Sequence, residues 1–144
     1  MDETAAEGLL PGLSIQKGRI IIRKENLHFP GDLLHEAGHI AVVPSSDRKS
    51  LNDQQLAGRT NREAEEMMAI AWSYAACMYL KLPPEFVFHE QGYKGGADYI
   101  IDAFQKGNYS GLPILQWLGM TLDDKQAKLK NTLAFPHMVK WLRA

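Results

Sequence analysis

Three residues of this chain have the types and the spacing to hold a metal ion and use it for hydrolysis. His35, Glu36 and His39 form the pattern H-E-x-x-H. Residues four apart lie on one face of a helix, so the two histidines can present imidazoles to one zinc ion, with Glu36 beside them. Zinc lowers the pKa of a bound water toward about 7, and a neighbouring carboxylate can take its proton while the water attacks a polarised carbonyl. The pattern therefore predicts half of a zinc site, with Glu36 as the general base.

The residues on either side predict the amphipathic helix that this pattern needs. Pro30 and Gly31 break the chain before it, Asp32 can cap its first turn, and Pro44 follows its end. The helix is expected to pack against a core, with the histidines beside that core. Its apolar positions at helical spacing are Leu33, Leu34, Ala37, Ile40 and Ala41.

The flanking segments predict a hairpin and a loop. Residues 13–29 have the spacing of a β-hairpin, because apolar residues stand on both sides of Lys17 and Gly18. Residues 45–60 are polar and contain one glycine, which is typical of a surface loop. Such a loop could overhang the metal and influence specificity.

A second, largely buried helix is predicted from Asn61 to Leu80. Thr60 or Asn61 can cap it, and Pro83 and Pro84 end it. Acidic residues fill its first turn and little charge follows, so most of this helix is expected to lie in the core.

These features resemble the zincin metallopeptidases, in which the H-E-x-x-H helix supplies two zinc ligands and another segment supplies the third. The metzincin subgroup needs a glycine at position 42 and a histidine at position 45, where this chain has Val42 and Ser45. The gluzincin arrangement is left, in which a glutamate on a following helix is the third ligand, in the pattern E-x-x-A or E-x-x-D. In this family an edge strand beside the metal pairs with extended substrate, a role that the predicted hairpin could fill.

The resemblance implies a glutamate ligand on the second helix. Glu66 is followed by Ala69 and satisfies E-x-x-A, so it is the first choice. Glu63 is the alternative, because the Arg-Glu-Ala run at 62–64 resembles the Asn-Glu-Ala start of the ligand helix in thermolysin-like enzymes. A third reading is that Glu63, Glu65 and Glu66 only favour the amino terminus of the helix.

Residues 81–111 contain the candidates for further catalytic help. In the related enzymes a tyrosine or histidine beyond the metal donates a hydrogen bond to the oxyanion, where transition-state charge develops. We expect His89 and Tyr93 to fill this role. The other candidates in this segment are Glu90, Tyr99 and Tyr109.

Two aspartates could support the metal site indirectly. Asp98 and Asp102 lie four residues apart on a helix predicted from Ala97 to Gln105. Either carboxylate could orient a ligand histidine from behind. The alternative is that both lie in solvent.

The apolar helix after E-x-x-A, with Trp72 near its centre and prolines at its end, also resembles the regulatory metallopeptidases of the ImmA/IrrE type. Those are cytoplasmic proteins that cleave transcriptional repressors. The chain departs from that family at Ile70, where the family has an asparagine, and shows no helix-turn-helix or sensor domain. The resemblance implies a peptide or protein substrate, with a transcriptional regulator as one candidate and a separate sensor protein as a potential partner.

Composition limits the other functions. The chain has 144 residues, 45% of them hydrophobic, and a formal net charge of −1, which fits one domain, 1–144, and implies no nucleic-acid partner. Cys77 is the only cysteine, so no internal disulfide can form and a reducing, cytoplasmic location is expected. Residues 1–12 predict a loose lead-in or a short helix, and neither a signal peptide nor a membrane-spanning segment is expected.

The carboxyl-terminal part predicts more helix. Helices are expected over Leu112–Leu118 and from Thr121 to about Leu133, the latter opened by a capping box, with a last turn from Pro136 through Trp141. Large apolar residues here are expected to close the core or to form a homodimer contact, namely Trp117, Leu118, Met120, Trp141 and Leu142.

Together these patterns predict an α+β fold, a mainly helical zincin-like domain with a short amino-terminal sheet or hairpin and a buried H-E-x-x-H helix. The expected function is that of a zinc-dependent metallopeptidase, with His35, His39 and Glu66 as ligands and Glu36 as base. The alternative is a catalytically inactive module of the same fold that binds metal or a partner.

Overall fold

The computed structural model describes residues 10–89 and 92–144, which form seven α-helices and one two-stranded antiparallel sheet. The predicted α+β, mainly helical fold with a short amino-terminal hairpin is confirmed. Most of the predicted lead-in at 1–12 lies outside the described residues. No helix in the described part of the chain combines the length and the apolar character needed to cross a bilayer.

The hairpin consists of β1 (Leu13–Gln16) and β2 (Arg19–Ile22), with Gln16 opposite Arg19. Lys17 and Gly18 form its two-residue turn, and both have left-handed backbone conformations, with φ of 52° and 71°. Such a turn matches the right-handed twist of the strands. The predicted extended segment is shorter than expected, because a 3₁₀ turn over Lys24–Asn26 follows β2.

Helix α1 (Asp32–Val42) carries the H-E-x-x-H pattern. The prediction that Asp32 caps it is wrong, because Gly31 holds the cap position and the Asp32 carboxylate accepts a hydrogen bond from His89 instead. At the other end, the Arg48 guanidinium donates to the carbonyls of Ile40 and Val43. These bonds satisfy acceptors that the end of a helix leaves without partners.

The segment predicted as a loop at 45–60 contains two short helices, α2 (Ser45–Arg48) and α3 (Asp53–Ala57). The side chain of Asn52 caps α3 by accepting a hydrogen bond from the Gln55 amide at 2.8 Å. The loop prediction was wrong because these helices are too short to show an apolar period in the sequence.

Helix α4 (Arg62–Leu80) confirms the second predicted helix within one residue. It ends where Lys81 adopts a left-handed conformation with φ of 60°. Asn61 holds the predicted cap position without a capping side-chain bond. Helix α4 packs against α1 and forms the centre of the main core, whose fully buried members include Ala41, Val42, Ala69, Ala71, Ala75 and Cys77.

The remaining helices complete the core. They are α5 (Ala97–Gln105), as predicted, α6 (Leu112–Trp117) and α7 (Asp124–Leu129). The helix predicted from Thr121 is shorter because the Thr121 hydroxyl donates to the carbonyl of His137, and Asp123 caps α7.

The predicted last turn at 136–141 is absent from the described structure. Met138 instead forms an isolated β-bridge with Thr121. Trp141 packs edge-on against Trp72, as expected for a residue that closes the core. Trp117 and Leu142 do not close the core, because most of each residue is exposed.

Candidate metal centre

The two predicted ligand helices meet at a glycine. Gly38 lies in the middle of α1 against Ala69 of α4, where a Cβ atom would stand 2.9 Å from the Ala69 carbonyl oxygen. The absence of a side chain lets the two helices approach closely. This contact brings the imidazoles of α1 to the first turns of α4.

Three side chains converge there, with ligand atoms all within 4.8 Å of one another. Nε2 of His39 lies 2.8 Å from Oε1 of Glu66 and 3.0 Å from Nε2 of His35, and His35 Nε2 lies 3.7 Å from the same Glu66 oxygen. Ligand atoms around a tetrahedral zinc ion, each at about 2.0–2.1 Å, stand about 3.3 Å apart. The three side chains are therefore spaced so that, with small adjustments, they could hold one metal ion.

Of the three acids considered, the structure brings only Glu66 to the imidazoles. Glu65 is buried and accepts two hydrogen bonds from Arg59, at 2.6 and 2.9 Å. Glu63 is exposed and lies outside the cluster.

The electrostatics of the cluster favour a neutral His35 and an ionised Glu66, as ligands need, whereas His39 is favoured in its protonated form until a cation replaces the proton. Burial, reinforced by the charge of His39, lowers the pKa of His35 to about 4, so this imidazole is neutral. Burial alone would lower the pKa of His39, but its hydrogen bond to Glu66 raises it. Burial opposes ionisation of Glu66 as well, yet the hydrogen bond from His39 lowers its pKa overall. A cation between these groups would replace the proton that His39 and Glu66 share.

Glu36 is fully buried next to the cluster. Neither of its carboxyl oxygens accepts a hydrogen bond from the described residues. Burial raises its pKa to about 7, the nearby His39 charge opposes this, and Asp53 and Asp32 add to it. A carboxyl group with this pKa can accept a proton and release it again near neutral pH.

Tyr93 supports one ligand from behind. Its hydroxyl lies 2.8 Å from Nδ1 of His35. With Nε2 bound to a metal ion, Nδ1 would carry the hydrogen and donate it to the Tyr93 oxygen, an arrangement typical of metal-bound histidines. Burial raises the pKa of Tyr93, so the phenol stays neutral and its own hydrogen can be donated into the cleft. The sequence had not suggested this contact with His35, and the oxyanion role of Tyr93 stays a prediction.

His89 pairs with Asp32, one of the residues that line the cleft. Its Nε2 lies 2.6 Å from Oδ1 of Asp32, and its ring stacks on Phe29 at 3.9 Å between centroids. Of this pair only Asp32 is among the described residues that line the cleft, and the oxyanion role of His89 stays a prediction. The sequence had suggested Asp32 only as a helix cap.

The structure does not bring the other described residues considered for catalysis or for orienting a ligand to the three candidate ligands. Asp98 is exposed, and Asp102 pairs with Lys106 at 3.0 Å, so neither orients a ligand histidine. Tyr99 is 79% exposed, and Tyr109 packs against other aromatic rings of the core. Glu90 lies outside the described residues.

A cleft of about 380 Å³ opens at the three ligands. Leu56 and Ala57 of α3 line it, which agrees with the expectation that the 45–60 segment overhangs the site. Neither strand lines it, and the outward amide of Ile15 in β1 already donates to Asp53, so the expected edge strand beside the site is absent from the described residues. The described lining also includes Leu10, Asp32, Arg62, Glu65, Gly92 and Tyr93.

Comparison of the chain with protein-family models, with curated proteins and with solved structures gave no match.

Proposed function

We propose that this protein is a zinc-dependent metallopeptidase that hydrolyses a peptide bond, with His35, His39 and Glu66 as the metal ligands. The observation that supports this proposal is the convergence of these three ligand atoms, 2.8 to 3.7 Å apart, on the wall of a cleft. The set consists of two imidazoles and one carboxylate, which are usual donors for a catalytic zinc ion.

Glu36 and Tyr93 are proposed to have separate roles in hydrolysis. A bound zinc ion would lower the pKa of a water molecule and polarise the scissile carbonyl. Glu36, with its pKa of about 7, is proposed to take a proton and to return it to the leaving amine. Tyr93 holds the ring of His35, and its hydroxyl hydrogen can be donated to the charge that develops on the carbonyl oxygen.

One observation supports a second candidate, an inactive zincin-like module that binds metal without chemistry. Glu36 is fully buried and is not among the described residues that line the cleft. In that case the metal would only stabilise the contact between α1 and α4.

The proposed substrate is a peptide or protein, and a transcriptional regulator is one candidate. The proposed location is the cytoplasm, which suits the buried free thiol of Cys77. A homodimer or a separate sensor protein would be detected by co-purification and by light scattering.

The test measures zinc content and peptide hydrolysis separately. The purified chain should bind one zinc ion, and His35→Ala, His39→Ala and Glu66→Gln should each lose it. Glu63→Gln is the matched control on the same helix and should keep it. Glu36→Gln should keep zinc and lose hydrolysis of a mixed peptide library.

Two results would contradict the proposal. Zinc that stays bound in the ligand variants would show that the site lies elsewhere. Hydrolysis that survives in Glu36→Gln would remove Glu36 as the base, and a zinc-loaded wild-type chain that cuts nothing would favour the inactive module.

A further inference from the structure

We infer that Arg62 selects substrates with a carboxylate close to the scissile bond, an inference that rests on the proposed peptidase function. Arg62 is the first residue of α4 and precedes the ligand Glu66 by one helical turn. It lines the metal cleft and also a neighbouring groove, and Glu66 is shared by both. A peptide that extends from the metal into this groove therefore passes the Arg62 side chain.

The charges on the cleft explain why the selected group is an anion. Each carboxylate that lines the cleft already has a cationic or hydrogen-bonding partner: Glu65 with Arg59, Asp32 with His89, and Glu66 with His39. Arg62 is the only arginine or lysine among the described lining residues, and its guanidinium makes no ion pair with any of them. The charge of Arg62 also acts on Glu66 and lowers its pKa, but the exposed guanidinium is still the cation at this cleft that a substrate carboxylate can meet.

The position of Arg62 limits where that anion can lie. Side chains four residues apart on a helix have Cβ atoms about 5–6 Å apart, so a carboxylate on Arg62 lies within about one residue of a peptide group held at Glu66. A guanidinium binds a carboxylate through two parallel hydrogen bonds. The apolar part of the cleft, formed by Leu10, Leu56 and Ala57, can receive an uncharged side chain. The inferred substrates therefore combine an apolar side chain with a nearby carboxylate.

The carboxylate can come from an acidic side chain or from the carboxyl terminus of the peptide, and the experiment separates these sources. Random peptide pools would be synthesised with Glu, Gln or Lys at one position, each as the free acid and as the amide. The pools would be passed over immobilised, zinc-loaded Glu36→Gln protein, and retained peptides would be counted by mass spectrometry. Zinc-loaded wild-type protein would be treated in parallel, with cut and uncut peptides both counted.

We expect about fivefold to tenfold greater retention of one carboxylate-bearing pool, the Glu pool or the free-acid pool, than of its neutral counterpart. Arg62→Gln should remove this preference, and Arg62→Glu should reverse it toward peptides with Lys at the same position. Arg19→Gln, which removes an exposed arginine from β2, is the matched control and should select like the parent chain.

Equal retention of the acidic and neutral pools by the parent chain would overturn the inference, and so would a preference that survives in Arg62→Gln. A chain that selects carboxylates but cuts no peptide would contradict the proposed peptidase function and leave the role of Arg62 standing. Cleavage without any preference for carboxylates would support the proposed peptidase function and overturn the role of Arg62.

Discussion

The hydroxyl of Tyr93 lies 2.8 Å from Nδ1 of His35, on the side of the imidazole opposite the other candidate ligands. The two residues are 58 positions apart in the chain. Tyr93 begins a 3₁₀ turn and has a left-handed backbone with φ of 57°, a conformation that bulky residues rarely adopt. The unfavourable backbone conformation of Tyr93 places its phenol against His35. The phenol therefore fixes the orientation of this candidate ligand without a metal.

Tyr93→Phe should weaken zinc binding without unfolding the protein. The change leaves Nδ1 of His35 without its partner, and losses of such supporting contacts lower metal affinity by roughly 10- to 100-fold. Competition with a fluorescent zinc chelator measures this directly. Tyr99→Phe removes the same atom from an exposed tyrosine and should have no effect. Equal affinities in the two variants would show that Tyr93 does not support the site.

Gly38→Ala should destabilise the protein although alanine favours helices. The new Cβ would stand 2.9 Å from the carbonyl oxygen of Ala69 and 3.3 Å from its Cα, so α1 and α4 would have to separate. We expect a loss of about 1–3 kcal/mol in the free energy of unfolding, measured by urea denaturation without metal. The matched control is Gly58→Ala, whose Cβ would meet its nearest atom at 3.7 Å and should change stability by less than about 0.5 kcal/mol. A Gly38→Ala protein as stable as the parent, or more stable, would show that α1 and α4 do not approach this closely at Gly38.

Arg48→Met should also destabilise the protein, through the end of the metal-binding helix. The Arg48 guanidinium donates to the carbonyls of Ile40, Val43 and Arg143 at 2.8 to 3.0 Å. Methionine keeps part of the apolar stem but leaves these acceptors unpaired, and we expect a loss of about 2–4 kcal/mol in urea denaturation. Lys49→Met changes the exposed neighbour and serves as the control. Similar stabilities of the two variants would show that water replaces the arginine at no cost.

Cys77 should react slowly with thiol reagents in the native protein. Its side chain is fully buried, and burial raises the pKa of the thiol from about 9 to about 11. Modification by a disulfide reagent at pH 8 should therefore need denaturant, and the measurement is clear because the chain has no other cysteine. Rapid modification of the native chain would contradict the burial of Cys77.

Ionisation of the same thiol should make the free energy of unfolding depend on pH in the alkaline range. The unfolded chain ionises Cys77 near pH 9 while the folded chain keeps the thiol protonated, so the free energy of unfolding should fall as the pH rises from about 9 to 11. Comparison of thermal unfolding with that of Cys77→Ala measures this contribution. The fall should be smaller in the variant, and parallel curves would refute the assignment.

Elements whose signals are local in the chain could be predicted. The hairpin at 13–22 follows from apolar runs around Lys17 and Gly18, and α4 and α5 follow from apolar spacing between breakers. The short helices α2 and α3 could not be predicted, because they have too few turns to show a period. Helix α6 was predicted within one residue, and α7 was predicted with bounds that are too wide. The pairing of His89 with Asp32 could not be predicted for another reason, since the two residues lie 57 positions apart in the sequence.

By itself, the sequence determined that His35 and His39 share one face of a helix, because four residues complete about one turn whatever surrounds them. Only the tertiary structure decided that Glu66 joins them and that Glu65 pairs with Arg59 instead. Adjacent glutamates point to different sides of α4, so the choice depends on how α1 and α4 are rotated and how closely they pack at Gly38. That geometry arises from contacts between distant segments, which no local pattern of residues records.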